Sequence, residues 1–383
     1  MIYLDSAATT LQKPKAVINS ASWALKNLTS PGRGSHTHTR LAAKTAYRCR
    51  EAACELFKVP EPENVVFTFN ATHALNIAIN SLLRRGGKVV VSGFEHNAVM
   101  RPLYALDADI TVAKNDDDPF APIKFQDFIT WDTELVVCNH VSNVYGCRQD
   151  IYALGDVCRT MKVPLIIDAS QSAGIEEIDF TNTGAEFIAM PGHKGLYGPQ
   201  GTGLLLCAKS GVPLLHGGTG ADSANIFMPE YLPDRHEAGT HNMPGIAGLL
   251  AGLEFVLEKT PERIKRREIA LMSRFTEKIS DIPGITVYDG ANTKRSVVSF
   301  NIDGIDCENV GDELEKHGIA VRAGLHCAPL AHTTGGTFDT GTVRVSVSVF
   351  NSAQEVQTAA KAVRDIVQSI TVQKNSGSRR NNS

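Results

Sequence analysis

The 383-residue sequence has no apolar run near the ~20 residues that a membrane-spanning helix needs, so no membrane partner is expected. It also lacks a dense basic run. The 38 Lys and Arg residues face 41 Asp and Glu, a formal net charge of −3, which excludes the electrostatic footprint of a nucleic-acid binder. A small-molecule ligand is expected instead. The eight cysteines include no Cys-x-x-Cys pair and no finger-like spacing to histidine, and they read as reduced thiols rather than a disulfide framework. Cys138 and Cys207 sit in apolar runs and read as inert core thiols. No internal repeat is found. Met1-Ile2-Tyr3-Leu4-Asp5 shows no basic region followed by an apolar stretch, so no signal peptide is read and a cytoplasmic location is expected.

What is present is a regular alternation. Short β-rich runs at Val65–Phe69, Lys88–Ser92, Ile110–Ala113, Leu135–Asn139, Leu165–Asp168, Phe187–Met190 and Gly203–Cys207 alternate with helical patterns such as Thr72–Leu83 and Ile151–Met161. Near-continuous apolar strands between helices predict a mostly parallel seven-stranded sheet covered on both faces, an α/β fold. Ligands of such sheets collect at the carboxyl ends of strands, where Asn70, Asn139, Asp168 and Pro191 fall. Beyond helices at Ile246–Lys259 and Pro261–Ile279, a smaller α+β unit is expected. Its strands lie near Ile285–Tyr288, Val297–Ile302, Ile319–Arg322 and Val343–Val347, its helices near Cys307–Lys316 and Ala353–Ser369. The expected division is an N-terminal segment (1–15) packing near the small unit, a large unit (16–250), a small C-terminal unit (251–372) and a polar, disordered tail (373–383).

Chemistry concentrates in a few places. Lys194 lies in Met190-Pro191-Gly192-His193-Lys194-Gly195, one strand beyond Asp168 in Ile166-Ile167-Asp168-Ala169-Ser170-Gln171. A loop lysine and an acid ending a buried strand are what pyridoxal 5'-phosphate (PLP) chemistry requires: an amine for the Schiff base and a carboxylate for the pyridine nitrogen. Each residue alone has a plainer reading, a solvated turn lysine and a helix cap. Asn70-Ala71-Thr72-His73 opens a helix, a natural phosphate site or an ordinary cap. His96, in Phe94-Glu95-His96-Asn97, can stack on a flat ring and exchange protons, or simply be exposed. Cys327 follows Arg322 and His326, cations that favour a nucleophilic thiolate, although a surface cysteine is the simpler alternative. Arg344, in an alternating strand, has the guanidinium that clamps an α-carboxylate. His326 with Cys327, and His36-Thr37-His38, lack further ligands, and no metal is expected.

With these residues in hand, the chain resembles the cysteine desulfurases of the class V aminotransferase family of fold-type I PLP enzymes. The likeness runs from Tyr3-Leu4-Asp5-Ser6-Ala7-Ala8-Thr9-Thr10 to Val349-Phe350-Asn351 and is most specific at Gly192-His193-Lys194, Glu237-Ala238-Gly239-Thr240 and Arg322–Pro329. The Arg-x-Gly-x-His-Cys-Ala pattern is similar to the SufS-type and selenocysteine-lyase-type branch. The resemblance implies Lys194 as Schiff-base lysine, Asp168 on the pyridine nitrogen, Gln171 on the ring 3-oxygen and His96 stacked on the ring. It implies Ala71, Thr72 and His193 around the phosphate, with Thr240 reaching in from a second subunit of a homodimer. Asn143 would lie near the 3-oxygen and, with Arg344 and Ala7, near the substrate; Arg33 matches an arginine at the dimer interface near the substrate site.

The implied reaction converts L-cysteine to L-alanine, with a persulfide on Cys327 that passes to an acceptor protein or thiol. Selenocysteine lyase, acting on L-selenocysteine, is the alternative; a simple aminotransferase or a non-catalytic PLP binder would leave Cys327 or the whole residue set without a task. Two departures stand out: Pro191 replaces a phosphate-binding Ser, and Asn70-Ala71-Thr72-His73 replaces Gly-Thr-Thr-Glu, so weaker cofactor binding is expected.

Overall fold

The structure, a computed structural model, describes residues 1–32, 34–221, 223–288 and 296–380; for 370–380 only the helical backbone is described. The chain opens with β1 (Ile2–Tyr3), α1 (Lys15–Asn27) and α2 (Thr37–Phe57). The large sheet follows with its helices: β2 (Val65–Thr68), α3 (Ala71–Leu82), β3 (Lys88–Ser92), α4 (Asn97–Ala105), β4 (Asp109–Ala113), β5 (Leu135–Asn139), α5 (Ile151–Met161), β6 (Leu165–Asp168), α6 (Phe180–Thr183), β7 (Phe187–Pro191) and β8 (Gly203–Cys207). Helices α7 (Met243–Lys259) and α8 (Pro261–Ile279) lead into β9 (Ile285–Tyr288), β10 (Val297–Ile302), α9 (Cys307–Lys316), β11 (Ile319–Ala320), β12 (Arg322–Gly324), α10 (Pro329–Thr334), β13 (Thr342–Ser346) and α11 (Ala353–Arg380).

The seven strands run in the order β2-β8-β7-β6-β5-β3-β4, parallel except where β8 lies antiparallel to β2 and β7. Period-2 side-chain alternation explains why these strands read as unbroken apolar runs. Val136 and Cys138 of β5 enter one core with α2, α5 and α7, whereas Leu135 and Val137 enter the other with α3 and α4. Cys138 and Cys207 are buried there, and burial pushes both thiols well up. The first core continues to Val256 and Ile264, so α7 packs with the large unit past residue 250.

The smaller unit is a four-stranded antiparallel sheet, β12-β13-β10-β9, over a third core that includes Phe275, Phe300, Val343, Val345 and Val363. The single strand expected at Ile319–Arg322 is two strands with different partners: β11 pairs with β1, and β12 pairs with β13. Helix α11 continues beyond Ser369 to Arg380, through most of the expected tail; residues 381–383 lie outside the described residues. No helix among the described residues is long and apolar enough to cross a membrane.

Candidate active site

The carboxyl ends of β5, β6 and β7 deliver Asn139, Asp168 and Pro191 to one cleft of about 200 Å³. Ala7, Asn70, Ala71, Thr72, His96, Asn143, Gln171, His193, Lys194, Arg322, His326 and Arg344 also line it. Residues that the sequence scatters over more than three hundred positions thus meet at the strand ends.

The Lys194 loop is held tightly. A Cβ on Gly195 would come within 2.3 Å of the Ala173 carbonyl, so only glycine lets the loop lie against the turn after β6. The Lys194 amine is pushed down to about 8, first by burial; Asp168 opposes the shift, and Arg344 and Arg322 add to it. Asp168 is buried and raised, mainly by desolvation, while the Ser170 amide donates to its Oδ1 at 2.9 Å. It forms no salt bridge among the described residues. A buried carboxylate in that state is short of a cationic partner, which a protonated pyridine nitrogen provides.

His96 caps α4, its Nδ1 accepting from the Ala98 amide at 3.0 Å. That bond fixes the tautomer with hydrogen on Nε2. Burial pushes the imidazole down to about 4, helped by Lys194 and three arginines, so it is neutral near pH 7. At the start of α3, Asn70 Oδ1 accepts from the His73 amide at 2.9 Å. Ala71 and Thr72, ahead of it in the first turn, line the cleft at the positive end of the helix. Pro191 also lines the cleft and has no donor to offer, whereas His193 is held by Thr9 Oγ1 on Nδ1 at 2.9 Å. Buried Asn143 Oδ1 and Arg344 Nε have no partner among the described residues. The amides at the start of α3, the unpartnered Arg344 Nε, one amine and one unpaired carboxylate fit PLP.

Gln171 donates Nε2 to the Ala7 carbonyl at 2.9 Å, which ties the N-terminal segment to the cleft. Arg344, 1% exposed, donates Nη1 to the Asn143 carbonyl at 3.0 Å and pairs through Nη2 with Asp5 Oδ1 at 2.6 Å. Asn143 Nδ2 donates to the His326 carbonyl at 2.9 Å, so one residue braces both the arginine and the cysteine loop.

All the cysteines except Cys327 are buried or half-buried; Cys327 is exposed. It adjoins cleft-lining His326, and Arg322 Nη2 lies 3.5 Å from its Sγ. His326 and Cys327 both have left-handed backbone, φ +50° and +56°, a conformation disfavoured for residues with a Cβ. The turn persists because it is pinned: the Asn97 amide donates to the Cys327 carbonyl at 2.9 Å, and His326 Nε2 donates to the Thr342 carbonyl at 3.1 Å.

Thr240 is not in this cleft. It is exposed at a separate small hollow that Phe67, Phe69 and Glu237 help to line. Buried Glu237 anchors that turn through a two-pronged pair with Arg50, at 2.9 and 2.8 Å, and through His241 at 2.6 Å. Arg50 holds the Glu237 carboxylate down to about 2 against the opposing pull of burial. Arg33 lies outside the described residues. Among the described residues no group of three His, Cys, Asp or Glu is placed to hold a metal.

Asp5 and Glu95 are site residues that sequence reading passed over. Glu95 is fully buried, accepting from Ser92 Oγ at 2.5 Å and from the amide of Asn139, the strand partner of Asp168, at 2.6 Å. Desolvation pushes it up to about 8, with Asp168 adding to the shift, so it holds a proton at pH 7. Its position directly before His96 was the available signal.

The family model for aminotransferase class-V matches residues 2–358. A probable cysteine desulfurase of Methanothermobacter thermautotrophicus is 33% identical over 384 residues, covering 95% of this chain and 94% of that relative. One from Pyrococcus abyssi is 30% identical, covering 97% and 95%. Among solved structures, the apo cysteine desulfurase of Thermococcus onnurineus NA1 is similar with a TM-score of 0.88 and 31% identity, covering 96% and 95%.

Proposed function

The chain belongs to the class-V aminotransferase family, and within it to the cysteine desulfurases, and we propose from that premise that Cys327 takes the sulfur of L-cysteine. The enzyme is PLP-dependent. When bound, PLP supplies a sink for the electron pair left as the substrate Cα loses its proton. Lys194 is the residue for its aldehyde, Asp168 for its pyridine nitrogen, Gln171 and Asn143 for its ring oxygen and His96 for its ring face. Its phosphate falls to Ala71, Thr72 and His193.

The division of labour among the side chains follows from their charge states. Lys194 Nζ, pushed down to about 8, has a neutral fraction near pH 7 and takes the Cα proton. Neutral His96 offers Nε2–H toward the cleft, while Nδ1 is committed to the Ala98 amide. Buried Arg344 receives the substrate carboxylate. Arg322, 3.5 Å from Cys327 Sγ, supports that sulfur as it carries negative charge. The Cys327 thiolate attacks the substrate sulfur; the S–S bond forms, the Cβ–S bond breaks and leaves its electron pair on carbon, Cβ takes a proton and Lys194 returns one to Cα, giving L-alanine and a persulfide on Cys327. An acceptor protein or thiol then removes the terminal sulfur.

The observation that carries this reading is the exposed Cys327, pinned in a left-handed turn beside Arg322. The test is Cys327→Ser: alanine formation from L-cysteine is expected to fall to a few per cent or less, a loss of ~10²-fold. Mass spectrometry of the parent enzyme after L-cysteine is expected to find one added sulfur on Cys327. Full turnover by Cys327→Ser would overturn the persulfide step. The named relatives favour L-cysteine over L-selenocysteine as substrate.

A homodimer is part of the proposal, with Thr240 serving the partner's phosphate site. Exposed Thr240, the hollow beside it, and Ile226 and Phe227, 91% and 76% exposed, support a second copy at this face. A cytoplasmic location and a split into a large PLP-binding unit and a small C-terminal unit belong to the same reading.

A further inference from the structure

The N-terminal segment enters the site from the small unit. β1 runs parallel to β11, and Asp5 forms a bridge with Ser346 of β13. The Ala7 amide donates to Ser346 Oγ at 2.8 Å. Next the segment crosses to the large unit, where the Ala7 carbonyl takes the Gln171 bond. Beyond it, the Thr10 amide, Thr10 Oγ1 and Lys13 Nζ all donate to the carbonyl of His193, beside Lys194, at 3.2, 3.0 and 3.0 Å. The same segment therefore touches the residue assigned to the substrate carboxylate and the loop that carries the amine.

Asp5 is the charged member of this strap. β13 alternates, with Val343 and Val345 in the core and Thr342, Arg344 and Ser346 on the other face. Arg322 is the cross-strand partner of Arg344, so two guanidiniums lie side by side and repel. Asp5 is the sole carboxylate in a salt bridge with Arg344 among the described residues. Arg344 lines the cleft, and Asp5 grips its guanidinium through Nη2. With Nη1 on the Asn143 carbonyl and Nη2 on Asp5, the orientation of the guanidinium plane is set, and Nε has no partner among the described residues.

We infer that Asp5 is a positioning residue for substrate recognition: it fixes the guanidinium of Arg344 so that the carboxylate of L-cysteine meets a preset partner. This rests on the assignment of Arg344 to that carboxylate. Asp5 makes no hydrogen bond to a reacting atom and acts mainly through Arg344; its charge also bears on Lys194, as the last of the causes that set that amine, and kcat reads that path.

The test compares an amino acid with an amine that lacks the carboxylate. Binding of L-alanine and of cysteamine to the PLP-loaded enzyme is followed by the visible absorbance of the cofactor, and L-cysteine turnover supplies KM and kcat. Asp5→Ala is expected to weaken L-alanine and raise the KM for L-cysteine about tenfold or more, the loss of one charge-assisted bond. Cysteamine binding is expected within about twofold and kcat within about threefold of the parent on the same argument. Asp5→Asn keeps an acceptor without charge and is expected to lie between; it serves if Asp5→Ala does not fold. Ser346→Ala loosens the same strap without touching the guanidinium and is expected to leave the ratio of the two ligands unchanged. Equal weakening of both ligands, or of neither, by the Asp5 variants would overturn the inference while Arg344→Lys still discriminates between them. If Arg344→Lys does not discriminate either, the assignment of Arg344 fails and the inference falls with it.

Discussion

Arg322 and Cys327 are five residues apart in sequence, and a left-handed turn folds the thiol back to within 3.5 Å of the guanidinium. If that contact supports negative charge on sulfur, Arg322→Ala slows alkylation of Cys327 by iodoacetamide at pH 7, by about threefold or more. Mass spectrometry after a timed pulse reads the rate; an unchanged rate would leave Arg322 without a role at the sulfur. The same cysteine shows what a sequence can convey. Its neighbours Arg322 and His326 were visible as candidate cations, but burial pushes His326 down to about 2, so it is neutral and acts as a strut on Thr342. Burial, not residue type, decided between the two. Asp5 was illegible for another reason: its partner Arg344 lies 339 residues away, and no local pattern marks such a pair.

Strands and their ends were the legible elements. Continuous apolar runs required two covered faces, and the two cores on either side of the sheet provide them; Asp168 and Asn139 end the strands that the runs predicted. Less legible was the break at Val321, because nothing in Ile319–Arg322 says that its two halves pair with different sheets. The turn bearing Thr240 belongs to this scale too. It has no strand of its own and hangs on Glu237, which is gripped by Arg50, His241 and the Phe67 amide. Glu237→Gln leaves the buried Arg50 charge without its counterion, and urea unfolding is expected to show a loss of about 3–5 kcal/mol. An apolar replacement of both partners, Arg50→Met with Glu237→Leu, is expected to recover part of it. A loss below about 1 kcal/mol for Glu237→Gln would mean that the pair is solvated like a surface bridge.

Over the whole molecule, buried titratable groups set the pH range of the fold. Six histidines, His96, His140, His193, His236, His326 and His332, are pushed down to between about 2 and 4, burial being the first cause in each. Their folded values lie below the ordinary 6.5, so the unfolded chain binds protons that the native one refuses, and stability falls as pH drops below 6.5. Glu95 and Glu268 are pushed up to about 8 by burial. There the native state keeps protons that the unfolded chain releases, and stability falls as pH rises from 4.5 to 8. His73 is lowered by burial as well, and Asp168 and Asp234 are raised by it. Between 4.5 and 6.5 the histidines outnumber the raised carboxyls, so acid loss prevails; above 6.5 the raised carboxyls act until Lys13 and Lys194, pushed down to about 8, oppose them. Thermal unfolding is therefore expected to give its highest midpoint near pH 6.5, with a steep decline toward pH 5 and a shallow one toward pH 8. Glu268→Gln should flatten the shallow limb, and a midpoint that climbed steadily from pH 6.5 to 8 would contradict the assignment.

The strap that grips Arg344 also has a place in time. On a ribosome, residues 2–13 are made well before their seats on β11 and β13, which are encoded some three hundred codons later. At ~5–20 residues per second, that is a wait of roughly 15–60 s during which the segment has no strand to join. The loop that carries Lys194 is therefore braced by a segment made early that waits for strands made late.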